Sequence, residues 1–175
     1  SSDIKKFSSY REAGINRLSL GIQSFDHKKL QKLGRIHDKQ QSIDAIRIAK
    51  QAGFRNFNLD LMHGLPEQRT EEALEDLQLA IDATPSHISW YQLTIEPNTV
   101  FYNHTPILPN DSEIIDIQEE GNALLETNGY KQYEVSAFAI DGKTSFHNRN
   151  YWSFGDYIGI GAGAHGKLTL VNEQK

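Results

Sequence analysis

The feature that most constrains this chain is the alternation of short strand-like runs with amphipathic helical stretches that stop at glycine. Residues 16–22, 57–62 and 88–93 read as strands. Between them, residues 42–52 place Ile43, Ile46 and Ala49 on one stripe, and residues 71–83 do the same with Leu74, Leu77 and Ile81. Asp38 is the expected cap of the first helix, with Gln41 three residues on, and Thr70 that of the second, ahead of Glu71 and Glu72. Gly14, Gly34, Gly53 and Gly129 each follow a helical run, where a left-handed residue closes the helix. Gly14 and Gly53 lead almost at once into strands. Short αβ loops of this kind imply parallel pairing, so the expected fold class is α/β.

The character changes after Gly129. A helix is expected over residues 112–128, beyond a proline-marked loop at 97–109. Residues 130–138 alternate like a strand, Asp141-Gly142 offers a turn, and residues 167–171 alternate again after an aromatic, glycine-rich stretch. The expected division is therefore 1–129 as βα units and 130–175 as a smaller β-rich extension. Composition narrows the function classes. A net charge of −5 opposes general nucleic-acid binding. No apolar run approaches the roughly 20 residues of a membrane span and no signal peptide is visible, so the expected location is cytoplasmic. The sequence contains no cysteine, which removes disulfides, zinc–thiolate sites and thiolate-bound iron–sulfur clusters from these residues.

In parallel α/β folds, ligands gather beyond the carboxyl ends of the strands. Three polar groups fall there: Gln23 after the first strand, Asp60 and His63 around the end of the second, and Gln92, Thr94 and Glu96 closing the third. An amide and a carboxylate facing one crevice suit ribose hydroxyls, and Arg35 could fork onto a carboxylate. On the residues alone, Gln23 and Asp60 serve equally well as caps of loops or of the following helices.

Taken in order, GIQSF at 21–25, Arg35, NLDLMHGLP at 58–66, YQLTIEP at 91–97 and GIGAGAHG at 159–166 resemble the coproporphyrinogen-oxidase-like radical S-adenosylmethionine (SAM) family over nearly the whole chain. The resemblance implies a partial (β/α) barrel in which Gln23, Arg35 and Asp60 bind SAM: Asp60 the ribose hydroxyls, Arg35 the methionine carboxylate, Gln23 a polar contact. Thr94 and His165 are carried over as backbone or apolar contacts. The family's [4Fe–4S] cluster sits on a CxxxCxxC loop that these residues lack. The resemblance thus implies an incomplete piece with ligands for the cluster outside it, no catalytic residue here, and no radical chemistry of its own. A half-barrel also leaves a sheet edge to be covered by a preceding portion or by another chain.

His147-Asn148-Arg149-Asn150-Tyr151-Trp152 fits the HNxxYW motif of the heme-chaperone branch of that family. This implies a protein that binds heme, keeps SAM and the cluster, and delivers heme to acceptors such as respiratory proteins. The alternative within the family is the oxygen-independent coproporphyrinogen III oxidase. His147 is the candidate axial donor, with Tyr151 and Trp152 as apolar shielding; equally, the aromatics could be core residues and His147 a turn cap. Other signals fail. The stretch 161–166 matches GxGxxG, but no helix follows, and Leu168 stands where a phosphate loop needs Ser or Thr. His27, His37, His87 and His104 show no paired metal-ligand spacing and read as surface or loop residues.

Overall fold

The computed structural model describes residues 2–170, which separate by contacts into two compact units with a boundary between Lys143 and Thr144. The first unit begins with α1 (Ser2–Glu12) and then runs β1 (Leu18–Gln23), α2 (His27–Lys32), α3 (Lys39–Gln51), β2 (Phe57–His63), α4 (Thr70–Asp82), β3 (His87–Gln92), α5 (Val100–Asn103), α6 (Asp111–Thr127), β4 (Lys131–Glu134) and β5 (Ala137–Ala139). The strands make one five-stranded sheet in the order β1-β2-β3-β5-β4. As the short αβ loops predict, β1, β2 and β3 pair in parallel; β5 then joins β3 antiparallel.

Helix starts follow the sequence closely at one site and shift at another. Asp38 caps α3 through the Gln41 amide, and the Gln41 side chain accepts from the Asp38 N–H in return. For α4 the expected cap, Thr70, is instead the first helical residue. Arg69 holds the cap position, and Glu72 reaches back to its N–H at 2.9 Å. Glu72 outcompetes the threonine because a carboxylate both takes that hydrogen bond and suits the positive helix end. Gly14, Gly34, Gly53 and Gly129 all have positive φ after helices.

One face of the sheet is dry. Leu59, Leu61, Ile88, Trp90 and Phe138 pack with Ile46 of α3, Ala73, Leu77, Ala80 and Ile81 of α4, and Ile117 and Leu125 of α6. Burial of these side chains is the main driving force for the unit. Gly121 of α6 is required by this layer, since a Cβ there would lie 1.9 Å from the Trp90 ring. The approach of α6 to the sheet is that close.

The expected single strand at 130–138 folds back on itself. β4 and β5 form an antiparallel hairpin whose register slips between Gln132 and Glu134, and β5 is paired to β3. This hairpin belongs to the first unit, so contacts thin out not near 130 but after Lys143, where Gly142 (φ 71) completes the expected turn.

The second unit also departs from expectation. It is not β-rich among its described residues: α7 (Phe146–Trp152) carries the whole HNxxYW segment, and the one β feature is an isolated antiparallel bridge between Tyr157 and Lys167. Ser145 starts α7 by accepting from the Asn148 N–H. The glycines between 155 and 166 offer no side chains to pack a strand. Val171, the end of the strand expected at 167–171, lies outside the described residues. No helix among the described residues is long and apolar enough to cross a membrane.

Candidate functional site

The other face of the sheet is polar, and the reason is written in alternation. Successive strand residues point to opposite faces, so Ser19 and Gln23 on β1, Asn58 and Asp60 on β2, and His87, Ser89 and Tyr91 on β3 emerge together. Parallel strands buried on both sides are usually apolar throughout. Here one side is mainly apolar and the other carries a hydrogen-bonded network around Asp60 and, beside it, a separate Tyr91–Gln23 pair.

Asp60 sits near the middle of this face. Its two carboxylate oxygens accept from Ser19 Oγ at 2.7 Å and from Asn58 Nδ2 at 2.8 Å. Asn58 also donates to Ser19 Oγ at 2.7 Å and accepts from Ser89 Oγ at 3.2 Å. Beyond Asn58, His87 Nδ1 lies 2.6 Å from its carbonyl oxygen, and His87 Nε2 lies 2.6 Å from the Tyr133 hydroxyl of β4. Burial pushes the His87 imidazole down to about 4, and the charge of Arg17 acts in the same direction. The expectation that His87 is a surface or loop residue is therefore wrong: it is fully buried in β3.

Gln23 closes the face at the top of β1. The β1–β2 register shifts between Gly21 and Gln23, and Gln23 adopts φ 67. This turns its side chain back over Gly21, where a Cβ would meet the Gln23 amide nitrogen at 2.9 Å. The amide oxygen accepts from the Tyr91 hydroxyl at 2.8 Å. Tyr91 hydrogen-bonds one of the three sequence candidates and feels the charge of the other two. Burial raises its phenol pKa, the Asp60 charge raises it further, and the Gln23 hydrogen bond and the Arg35 charge oppose them. Arg35 itself is exposed after Gly34, with no side-chain hydrogen bond to the described residues.

The loop that carries Gln23 is pinned from α4. Asp76 is buried and accepts from the Ser24 hydroxyl and, at 2.8 Å, from the Phe25 N–H. Burial raises its carboxyl to about 6 despite those two bonds. Lys29 of α2, also buried, pairs with Glu72 at 3.1 Å and donates to the Glu67 carbonyl at 2.7 Å. Both contacts tie the β1–α2 turn to the segment following β2.

Several expected site residues fall elsewhere. His63, three positions from Asp60, must face the opposite side of the strand. It is buried there with its ring centroid 4.4 Å from that of Trp90, and burial lowers it to about 4. Gln92, Thr94 and Glu96 are exposed and make no hydrogen bond to the Gln23–Asp60 set. His165 is exposed in the second unit. In that unit His147 stacks edge-on against Tyr157 at 5.1 Å, and Tyr151, one helical turn on, lies 6.1 Å from the same ring. Tyr151 and Trp152 are exposed, so the aromatics of the motif are not core residues.

The arrangement can hold a polar, hydroxyl-bearing ligand. Each Asp60 oxygen has lone pairs beyond the one bond it accepts, and the Gln23 amide nitrogen has no protein acceptor among the described residues. Residues 2–80 match the model of the radical SAM superfamily. The chain is 57% identical over 165 residues to the heme chaperone HemW of Escherichia coli (strain K12), covering 94% of this chain and 44% of that protein. It is 40% identical over 171 residues to the heme chaperone HemW of Bacillus subtilis (strain 168), covering 94% and 44%. The chain belongs to the radical SAM superfamily. The solved structure of coproporphyrinogen III oxidase (HemN) from Escherichia coli, a radical SAM enzyme, matches with a TM-score of 0.77 at 23% identity, over 93% of this chain and 41% of that one. At that identity the likeness concerns the fold: a parallel sheet resembling part of the HemN barrel. The chain spans a little under half the length of the curated relatives it matches. Radical SAM membership implies SAM and a [4Fe–4S] cluster, and with no cysteine in the sequence the cluster's thiolates are not among these residues.

Proposed function

We propose that this chain forms a SAM-binding part of a cytoplasmic heme chaperone, in which Gln23, Arg35 and Asp60 bind SAM and His147 is an axial donor to heme. The observation that carries the SAM part is that Gln23 accepts from the Tyr91 hydroxyl, whose phenol also feels the Asp60 and Arg35 charges, on the polar face of β1, β2 and β3. Asp60 is held as an acceptor by Ser19 and Asn58 and would take the ribose hydroxyls. Gln23 would offer its amide nitrogen, and the exposed Arg35 guanidinium would take the methionine carboxylate. When bound beside a reduced cluster, SAM supplies a radical in this superfamily; these residues would bind and orient it.

The chaperone assignment rests on the 57% identity to a protein of that name against 23% to the oxidase, together with the HNxxYW helix. His147 presents an exposed imidazole beside exposed aromatic surface from Tyr151 and Trp152, a combination that suits axial ligation and porphyrin packing. Heme would pass to acceptor proteins, respiratory ones included.

The full-length protein tests both parts. SAM affinity should fall at least about tenfold in Asp60→Ala and in Arg35→Ala, since each loses a charged hydrogen-bond partner. Heme titration followed by absorbance should give a Soret shift that changes in His147→Ala. Unchanged SAM affinity would sink the first assignment, and an unaltered heme spectrum the second. Anaerobic decarboxylation of coproporphyrinogen III by the full-length protein would favour the oxidase instead.

A further inference from the structure

The hydrogen bonds that end at Asp60 have a direction, and charge fixes it. Both Asp60 oxygens act as acceptors, one from Ser19 and one from Asn58 Nδ2. The Asn58 amide must therefore turn its nitrogen toward β1 and its oxygen toward β3. That oxygen, 2.6 Å from His87 Nδ1, can only accept, so Nδ1 carries the ring proton. Nε2 of the neutral ring is then a bare acceptor, and the Tyr133 hydroxyl 2.6 Å away must donate to it.

The alternative tautomer fails on the same geometry. With the proton on Nε2, the Nδ1 lone pair would oppose the Asn58 oxygen. Flipping the amide to relieve that clash would set its oxygen 2.8 Å from Asp60 Oδ1. The ring also stays neutral, because burial and Arg17 both disfavour the imidazolium. Arg17 and Tyr133 are the ionisable groups that act on it, Tyr133 by direct contact.

We propose that Tyr133, His87 and Asn58 form a one-way relay of hydrogen-bond donors that orients Asp60 for a vicinal diol, which makes His87 and Tyr133 positioning residues of the nucleoside site. The proposal rests on the reading of Asp60 as the group that holds the ribose of SAM. Four strands contribute: β4 the hydroxyl, β3 the ring, β2 the amide and the carboxylate, β1 the serine. A strand at the edge of the sheet thus sets an acceptor three strands further in.

The test compares two ligands in the full-length protein: S-adenosylhomocysteine and its 2′,3′-dideoxy counterpart. In His87→Asn the new amide nitrogen overlays Nδ1 and keeps the donor to Asn58. In His87→Gln the amide reaches only the Nε2 position. Expected is about a fivefold weaker affinity for S-adenosylhomocysteine in His87→Gln, near-native affinity in His87→Asn, and equal binding of the dideoxy ligand to both. Equal losses in the two variants, or equal losses for the two ligands, overturn the relay. Asp60→Ala separates the two levels: if it binds S-adenosylhomocysteine as tightly as the wild type, the ribose reading itself fails and takes the relay with it. Should His87→Gln not fold, ¹⁵N shifts of the His87 ring in the wild-type protein decide. An Nδ1–H tautomer at pH 7 supports the relay, and an Nε2–H tautomer or an imidazolium overturns it.

Discussion

The two faces of the sheet are built from the same strands by opposite means. On one, Leu59, Leu61, Ile88 and Trp90 meet α3, α4 and α6 in a largely apolar layer, with His63 buried against Trp90. On the other, Asp60, Asn58, His87, Tyr133, Tyr91 and Gln23 are placed by hydrogen bonds of defined direction. Non-directional burial supplies stability and tolerates repacking, whereas directional bonds supply geometry and little net energy. The contrast predicts that substitutions on the dry face will move stability more than ligand affinity, and those on the polar face the reverse.

Truncating the dry face should have the largest effect. Leu77→Ala removes a fully buried side chain and should cost about 2–5 kcal/mol in chemical denaturation, with SAM affinity of the folded fraction unchanged. Gly121→Ala forces a Cβ into the Trp90 ring and should cost about 1–3 kcal/mol by the same measurement. A loss confined to ligand binding in either variant would erase the distinction between the faces.

The pH dependence of stability separates buried groups by sign. His63 and His87 are depressed to about 4, so their contribution is present above the unfolded value of 6.5 and is lost as pH falls from there toward 4. Asp76 is raised to about 6, so its contribution is present below 3.8 and is lost as pH rises through 6. Between about 4 and 6 the two histidines outweigh the one aspartate, and stability should rise with pH. Asp76→Asn should steepen that rise by roughly 1.4 kcal/mol per pH unit, read from unfolding midpoints across the window. A slope that does not change would mean that Asp76 is ionised in the folded protein throughout. The smallest effect belongs to Tyr91→Phe. It should cost about 1 kcal/mol or less of stability yet weaken SAM binding severalfold by freeing the Gln23 side chain, as isothermal titration would register.

Much of the architecture is legible in the sequence. Period-two and period-3.6 patterns, together with Gly14 and Gly53, specified parallel βα units because they reflect local backbone preferences. The hairpin was not, since residues 130–138 alternate as one strand would and only pairing of Ala137–Ala139 with β3 decides where the chain reverses. The helical state of 146–152 was likewise missed, although Ser145 three residues before Asn148 is a capping signal. At the site, Gln23, Arg35 and Asp60 were found through their motifs. Ser19, Asn58, His87, Tyr91 and Tyr133 were not, because each is an ordinary polar residue until strand register joins them; Tyr133 is 46 residues from the histidine it contacts. The alternation of polar residues in 57–61 and 87–91 was the available clue. His63 shows the converse, for counting along a strand would have put it on the dry face.

The left-handed backbone at Gln23 has a consequence for how this sequence can drift. There the shape that presents the side chain is set by peptide groups, in a register slip opposite Asp60 and Leu61. Exchanging the glutamine would lose the Tyr91 hydrogen bond and the amide nitrogen proposed for SAM, and would leave another side chain in a left-handed conformation. A side chain at Gly21, by contrast, would occupy the space the Gln23 amide now fills. Only the flexible end of the glutamine side chain would have to move, whereas the left-handed φ of 67 strains most substitutes at position 23, so a tolerance map of this loop should be read from its glutamine before its glycine.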